Sequence, residues 1–371
     1  WRHRKTSGAD RKENTVKQLA PSLRGYFDFS NIRGDLLGGL TAGVVALPLA
    51  LAFGEASGAG PIAGLWGAIL VGFFASLFGG TGAQISGPTG PMVVVFAGLF
   101  ASLSGDPALV FAAVVLAGVI QILMGIFRLG QYIRLVPYPV ISGFMSGIGV
   151  IIIALQLSRL FGHEPDGGGT IPALTAIPDA LADPVLSAVI VGAVALIVVF
   201  TWPKAWGKWV PGALAALIAG TAASFIAPGA PVIGEIPTGF PEFRLPQFSG
   251  DTLVLVIEAA VILAILGSID SLLTSLVADN MTRGHHKSNK ELAGQGVGNM
   301  IAGLFGGIPG AGATMRTVVN IRSGGSTRIS GMMHALFLLA GGGRPAPPAA
   351  PISPAGLSRI LLQGGWGIIG R

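Results

Sequence analysis

The sequence has 371 residues, of which 51% are hydrophobic and only 11% are charged. A soluble domain carries about 25% charged residues, so this composition excludes a soluble fold and indicates a membrane protein. The absence of cysteine excludes disulfides and cysteine-ligated metals. The net charge of +6 lies mostly in the predicted loops, so it bears on membrane topology and gives no reason to expect nucleic-acid binding.

Residues 1–34 are polar and basic, and we expect them to form a cytosolic N-terminal segment. Beyond them, residues 35–250 carry apolar runs that are long enough, or nearly long enough, to cross a bilayer. Six of these runs are continuous: Leu36–Glu55, Pro61–Phe78, Leu109–Phe127, Val136–Leu160, Pro184–Trp202 and Val210–Ala227. A further element, between the second and third of these runs, is broken and makes seven spans in all.

The break is the segment Gln84–Pro91, which has two prolines and two glycines within five residues. Such a segment cannot lie inside a continuous helix. At membrane depth, backbone without internal hydrogen bonds is tolerated only where it is buried in protein or lines a wet cavity. We therefore predict a half-helix that begins at about Gly87, with Pro88 in the first helical position and free N–H groups that suit an anion. The alternative is a re-entrant linker without a ligand.

The second half of the chain, residues 251–371, repeats this arrangement. Its predicted elements are Leu253–Val277, Leu292–Phe305, a second Gly/Pro interruption at Gly306–Thr314, the short segment Met315–Ile321, Ile329–Ala340 and part of a twelfth span at Leu357–Ile369. The second interruption comes seven spans after the first, and this odd spacing gives the two halves opposite orientations. Paired interruptions in two inverted halves indicate a binding site near the membrane midplane.

Four polar side chains within the predicted spans are candidates for function, because charge inside a membrane is costly. Asp270 and Thr274 lie four residues apart on one helix face and would offer oxygens to a cation or a proton. Arg316 falls in the first turn of the second half-helix, where its guanidinium suits an anion. Glu55 ends the first span. Each has an alternative interpretation. Asp270 could be satisfied by backbone N–H groups, Glu55 could lie at the membrane interface, and Arg316 could serve as a counter-charge to Asp270 or Glu55.

Several motifs resemble those of the sulfate permease (SulP) family of anion transporters. They are Gly39–Ala50 (GLTAGVVALPLA), Gly64–Trp66 (GLW), Ile85–Gly90 (ISGPTG), Asn289–Asn299 (NKELAGQGVGN) and Phe305–Pro309 (FGGIP). The resemblance covers roughly residues 30 to 335, and the fourth motif is the most specific part of it.

The resemblance implies an all-α fold of two inverted seven-helix repeats, with half-helices three and ten each preceded by a short extended segment. Spans 1–4 and 8–11 would form a core domain that moves against a gate of spans 5–7 and 12–14, and the second repeat is incomplete here. The anion would bind between the half-helix N-termini, at Ser86, Gly87, Pro88, Thr89, Thr314, Met315 and Arg316. Asp270 and Thr274 match the cation-coupling positions of the family, and Glu55 is a further candidate for coupling.

By this resemblance we expect a secondary transporter, not an enzyme, in the cell inner membrane with a cytoplasmic N-terminus. Its substrate would be a dicarboxylate such as fumarate, sulfate or bicarbonate, carried in symport with H⁺ or, less favoured, Na⁺, without another cofactor. The alternatives are a passive anion channel or exchanger, and a membrane scaffold without transport. The family also has two further spans and a cytosolic STAS domain. By the resemblance, the protein would form a homodimer through its gate and STAS domains. We therefore expect the chain to be part of a longer protein.

The distribution of charge predicts the topology of the loops. Loops 128–135, 203–209 and 281–290 contain Lys or Arg and should be cytoplasmic, whereas the acidic loop 162–183 should be outside. Single cysteines placed in these loops can be probed on intact cells with an impermeant maleimide. Labelling of a cysteine at position 205 from outside would contradict the assignment.

Overall fold

The computed structural model describes residues 28–103, 106–135, 170–203, 212–227 and 252–342, with some residues between 139 and 163 and between 243 and 250. Most of the predicted N-terminal segment, most of the fifth span and the whole of the predicted twelfth span lie outside the described residues. Those residues that are described between 139 and 160 are helical, as expected for span five.

Helices dominate the described part of the chain. They are α1 (Ile32–Ala56), α2 (Pro61–Phe78), α3 (Gly90–Ser102), α4 (Pro107–Ile126), α5 (Thr170–Ala182), α6 (Leu186–Thr201), α7 (Gly212–Ile226), α8 (Leu253–Thr282), α9 (Ser288–Leu304), α10 (Thr314–Arg322) and α11 (Arg328–Gly342). A short 3₁₀ helix, Leu129–Leu135, follows α4. Two strands of two residues each, β1 (Ser86–Gly87) and β2 (Ala311–Gly312), precede α3 and α10.

Four of the described helices, α1, α2, α4 and α8, are long and apolar enough to cross a membrane. The pair α5–α6, bent by 109° between Leu174–Ala182 and Leu186–Val198, adds a fifth span if it is counted as one. With 13 and 9 residues, α3 and α10 reach only about 20 and 14 Å, against a hydrocarbon core of about 30 Å. The predicted half-helices are therefore present.

The structure corrects two details of the sequence prediction. Helix α3 begins at Gly90 and not at Gly87, because Ser86 and Gly87 are paired as a strand. The proline in its first turn is Pro91, and not Pro88 as predicted. The predicted outer loop 162–183 contains α5, a helix with Pro178 in its interior. Its proline and acidic residues made this segment look like a loop.

Glycines allow the long helices to pack with their backbones in contact. A side chain on Gly118 of α4 would collide with the carbonyl oxygen of Gly296 in α9. In return, a side chain on Gly296 would collide with the carbonyl oxygen of Gly118. Gly294 of α9 lies in the same way against Gly79 at the end of α2. Small residues at helix crossings are the usual means of close packing in membranes. Helix α9 thereby joins α2 and α4, as α11 joins α1 and α2.

The two halves of the chain meet at an antiparallel ribbon. Ser86 lies opposite Gly312 and Gly87 opposite Ala311, and the N–H of Ala313 donates to the carbonyl of Ile85 at 2.8 Å. Because the strands are antiparallel, α3 and α10 leave the ribbon in opposite directions. Their N-terminal ends therefore face each other across it.

Candidate functional site

The candidate site lies where the two half-helices begin. Thr89 is the N-cap residue of α3 and Ala313 that of α10, and neither helix has a side-chain cap. The first N–H groups of each helix have no partner within the helix, and each helix end carries roughly half a positive charge. Two positive helix ends are thus brought to one place in the interior of the protein.

Arg316 adds a full positive charge to this place. Its side chain is buried, with 3% of its surface exposed, and Nη2 donates a hydrogen bond of 2.5 Å to the carbonyl of Pro88. Nη1 has no hydrogen-bond partner in the described part of the chain. A Cβ atom built on Gly87 would lie 2.8 Å from Nη1, so only glycine leaves this side of the guanidinium uncovered. A buried donor without a partner beside two helix N-termini is suited to an anion.

Asp270 of α8 faces the same region. It is 6% exposed, and its Oδ2 atom has no hydrogen-bond partner among the residues described. Thr89 and Arg316 are its polar neighbours. The Thr89 hydroxyl is itself buried without a hydrogen bond. A cationic, an anionic and a hydroxyl group therefore converge at the start of α3, and each has an atom without a hydrogen-bond partner in the described residues.

Thr274 connects α8 to the second half-helix. Its hydroxyl donates to the carbonyl of Gly312 at 2.9 Å and accepts from the hydroxyl of Thr314 at 2.8 Å. Asp270 lies one helical turn away on the same face of α8. Helix α8 therefore presents a carboxylate and a hydroxyl on the side that meets the second half-helix.

A buried carboxylate, Glu291 of α9, holds the segment that leads into β1. Its Oε2 accepts from the N–H groups of Gly80 and Thr81 at 2.8 and 2.9 Å. Its Oε1 accepts from Nε2 of Gln84 and of Gln295, both at 2.8 Å. Glu291 is 2% exposed. Four N–H donors therefore stabilise this charge.

Polar side chains continue this network to both strands. Gln295 Nε2 also donates to the hydroxyl of Ser86 in β1 at 2.6 Å. On the other side, Asn299 accepts from the N–H of Gly310 and donates to its carbonyl, at 2.8 and 2.9 Å. The N–H of Gly312 donates to the Ser271 hydroxyl at 3.0 Å. The extended segments are thus fixed by side chains from α8 and α9.

A family model described as the sulfate permease family matches residues 32–370. This match extends over nearly the whole chain. The chain belongs to the sulfate permease family. The motif resemblance is thereby confirmed.

Three curated relatives of this sulfate permease chain are named as transporters. It is 52% identical over 325 residues to the bicarbonate transporter BicA of Picosynechococcus sp., which covers 84% of this chain and 57% of that protein. It is 48% identical over 356 residues to BicA of Synechocystis sp., covering 92% and 63%. The putative sulfate transporter YvdB of Bacillus subtilis is 37% identical over 361 residues, covering 94% and 67%. The chain therefore spans about three-fifths of the length of the two BicA relatives, and none of the three is named as an enzyme.

Solved structures agree with the predicted fold. The transmembrane domain of a cyanobacterial bicarbonate transporter BicA matches with a TM-score of 0.86 and 47% identity, over 92% of this chain and 90% of that one. The structure of SLC26A9 matches with a TM-score of 0.82 over 98% of this chain and 62% of that one, and its 18% identity supports the fold alone. The predicted class, an all-α membrane protein with the 7+7 inverted-repeat fold, is confirmed.

The structure brings most of the predicted site residues of this sulfate permease together. Seven residues are predicted to bind the anion, and all of them line or adjoin the ribbon and the two helix starts: Ser86, Gly87, Pro88, Thr89, Thr314, Met315 and Arg316. Asp270 and Thr274 lie beside them on α8. Met315 differs from its neighbours because its side chain is 49% exposed. Their role in binding stays a prediction.

Glu55 lies apart from this group. It is in the last turn of α1, where Gly54 packs against Gly60 and Pro61 at the start of α2. Ala68 of α2, which packs against Gly87, comes seven residues after Pro61, or about 10 Å further along the helix. Glu55 is therefore removed from the two helix starts, and Asp270 is the better placed carboxylate.

Glu291 lies within the motif Asn289–Asn299, and its role in the site is visible only in the structure. A charged residue directly before a predicted span is a signal, because such a charge must find partners once it is buried. The partners themselves could not be foreseen, since Gly80 and Gln84 lie more than 200 residues away in the chain.

Replacing the charge at Glu291 should destabilise the protein. In Glu291→Gln an NH₂ group replaces one acceptor oxygen, so two N–H donors lose their partner at a cost of roughly 1–3 kcal/mol each. We expect a clearly lower melting temperature in detergent. Glu258→Gln, the same substitution at an exposed position of α8, should leave it unchanged. Equal melting temperatures for Glu291→Gln and the unmodified protein would show that the network does not require the charge.

Proposed function

We propose that this protein is a secondary active transporter that moves a small anion across the cell inner membrane by alternating access. The observation that supports this most directly is the unpaired Nη1 of Arg316, which is buried beside Gly87 between two helix N-termini. A scaffold without transport would have no use for a cationic donor held in this way. Membership of the sulfate permease family supports the same conclusion.

The charge of the site suggests the class of substrate. Two half-charges at the helix ends and one guanidinium sum to about two positive charges, of which Asp270 offsets a part. A monoanion or a dianion is compatible with this sum, whereas a neutral solute would gain little. The relatives named as bicarbonate transporters make bicarbonate the first candidate, ahead of sulfate and of the dicarboxylates that the sequence suggested.

Asp270 is the proposed group for coupling. Its Oδ2 has no partner within the described residues, and a buried carboxylate oxygen in that position is compensated when it binds a proton or a cation. The nearby oxygens of Thr274, Thr314 and Gly312 also suit Na⁺, the ion that the sequence favoured less than H⁺. We propose cation symport at this site, and leave H⁺ and Na⁺ to be separated by measurement.

The second candidate, a passive anion channel or exchanger, would use the same anion site. Uptake of radiolabelled bicarbonate and sulfate into proteoliposomes separates the two proposals, with a proton gradient, a sodium gradient or neither. Accumulation above equilibrium under one gradient supports symport with that ion. Uptake that stops at equilibrium under every gradient supports the channel.

The setting of the protein is also proposed. We infer a cytoplasmic N-terminus from the basic residues of segment 1–34. The lipid bilayer surrounds the apolar helices, and a homodimer through the gate and a STAS domain is proposed for the longer protein.

The coupling proposal predicts the behaviour of Asp270→Asn. The amide cannot release a proton and binds cations poorly, so gradient-driven accumulation should disappear while the protein still inserts and folds. Glu258→Gln on the same helix is the matched control and should accumulate substrate normally. If Asp270→Asn concentrates substrate with unchanged pH and Na⁺ dependence, Asp270 is structural and Glu55 becomes the next candidate.

The anion site predicts that Arg316→Ala affects a dianion more than a monoanion, because the interaction energy scales with ligand charge. We expect the apparent KM for sulfate to rise about tenfold or more, on the order of 1.4 kcal/mol, and that for bicarbonate to rise less. The measurement is uptake, or binding in detergent, at fixed ionic strength.

Gly87→Val serves as the steric control, because its side chain would meet the Arg316 guanidinium and the backbone of α2. It should weaken both ligands to a similar extent. Equal losses for both ligands in Arg316→Ala would mean that this residue braces the half-helices and does not respond to ligand charge.

A further inference from the structure

The two strands of the ribbon are held differently on their outer sides. The N–H of Ala313 donates to the carbonyl of Ile85, so these two residues form a hydrogen-bonded pair. Hydrogen-bonded and non-hydrogen-bonded pairs alternate along antiparallel strands, so the next pair, Ser86 and Gly312, shares no backbone hydrogen bond. The backbone groups of both residues therefore point away from the ribbon. Those of Gly312 meet α8, where Ser271 accepts from its N–H and Thr274 donates to its carbonyl.

The carbonyl of Ser86 points to the opposite side, toward α2 and α11. The position that a Cβ atom would take on Gly72 is 3.1 Å from this carbonyl oxygen and 3.2 Å from Nδ1 of His334. The two atoms therefore lie within about 6 Å of each other, and because Nδ1 makes no direct hydrogen bond to a described residue, a single water molecule is the simplest way to join them. A side chain on Gly72 would come into close contact with both atoms.

His334 is fully buried, and neither of its ring nitrogens has a hydrogen-bond partner among the described residues. A neutral imidazole has one N–H donor and one acceptor, and leaving both unpaired in a protein interior is costly. An apolar residue of similar volume would fill the same position without that cost. The presence of a histidine there therefore needs a reason beyond packing.

We propose that His334 is a positioning residue of the anion site, whose Nδ1–H holds the Ser86 carbonyl through one bridging water. This link to the carbonyl of β1 corresponds to the hydrogen bond that the Thr274 hydroxyl donates to the Gly312 carbonyl of β2. The inference rests on the proposed function in so far as the ribbon binds an anion. Ser86 directly precedes Gly87, and the next carbonyl after Gly87, that of Pro88, accepts from Arg316. A shift of Ser86 therefore moves the guanidinium that faces the anion.

The test compares three variants of the purified chain in detergent. His334→Phe keeps a ring but removes the donor. His334→Asn keeps an N–H close to the position of Nδ1. Gly72→Ala leaves His334 in place but puts a methyl group into the gap. We expect Kd for bicarbonate and sulfate to rise about tenfold in His334→Phe and Gly72→Ala, and to stay within about threefold in His334→Asn.

Hydrogen exchange of the backbone gives a readout that does not depend on a ligand. Amides of residues 84–90 should exchange faster in His334→Phe and Gly72→Ala than in the unmodified protein, and at the original rate in His334→Asn. Leu338→Val, a packing change one turn along α11, is the control. It should lower the melting temperature without changing Kd or the exchange of this peptide.

Unchanged Kd and unchanged exchange at 84–90 in His334→Phe would overturn the inference and leave His334 as a core-filling residue. Loss of affinity in His334→Asn equal to that in His334→Phe would also overturn it. If the unmodified protein binds no anion, the proposed function fails, and the exchange rates still decide the role of His334. If His334→Phe does not fold, Gly72→Ala and His334→Asn carry the comparison.

Discussion

The structure depends on the need to satisfy backbone hydrogen bonds inside a membrane protein. Two extended segments, 84–89 and 306–313, lie within the packed helices and have no helical hydrogen bonds of their own. Their pairing as β1 and β2 satisfies part of this need, and Asn299 and Ser271 satisfy more of it. Since each strand comes from a different half of the chain, neither half can complete the site alone.

The same requirement explains why a full negative charge is buried at Glu291. A lone carboxylate in an interior is very costly, but four N–H donors at 2.8–2.9 Å offset that cost and fix the path of residues 80–84. A neutral amide side chain could not accept from four donors at once. The charge thus gives the segment before β1 one geometry, which in turn sets where α3 begins.

The interruptions and the half-helices could be predicted from sequence, because Gly and Pro act locally and the length of an apolar run is compared directly with bilayer thickness. Arg316 and Asp270 could also be found, since charge within a span stands out. The start of α3 at Gly90 and the contacts of Glu291 could not, because they depend on partners more than 200 residues away. Helix α5 was missed because its Asp179 and Pro178 are typical of loops.

In the proposed mechanism the arrangement of Asp270 and Arg316 explains how two ions of opposite charge can promote each other's binding. The two side chains are neighbours, yet Asp270 Oδ2 and Arg316 Nη1 remain without hydrogen-bond partners in the described structure. A cation at Asp270 would cancel a negative charge that repels the substrate, and an anion at Arg316 would in turn favour the cation. Such coupling is reciprocal by thermodynamic necessity. Had the two side chains formed a close ion pair, each would have occupied the other's ligand position.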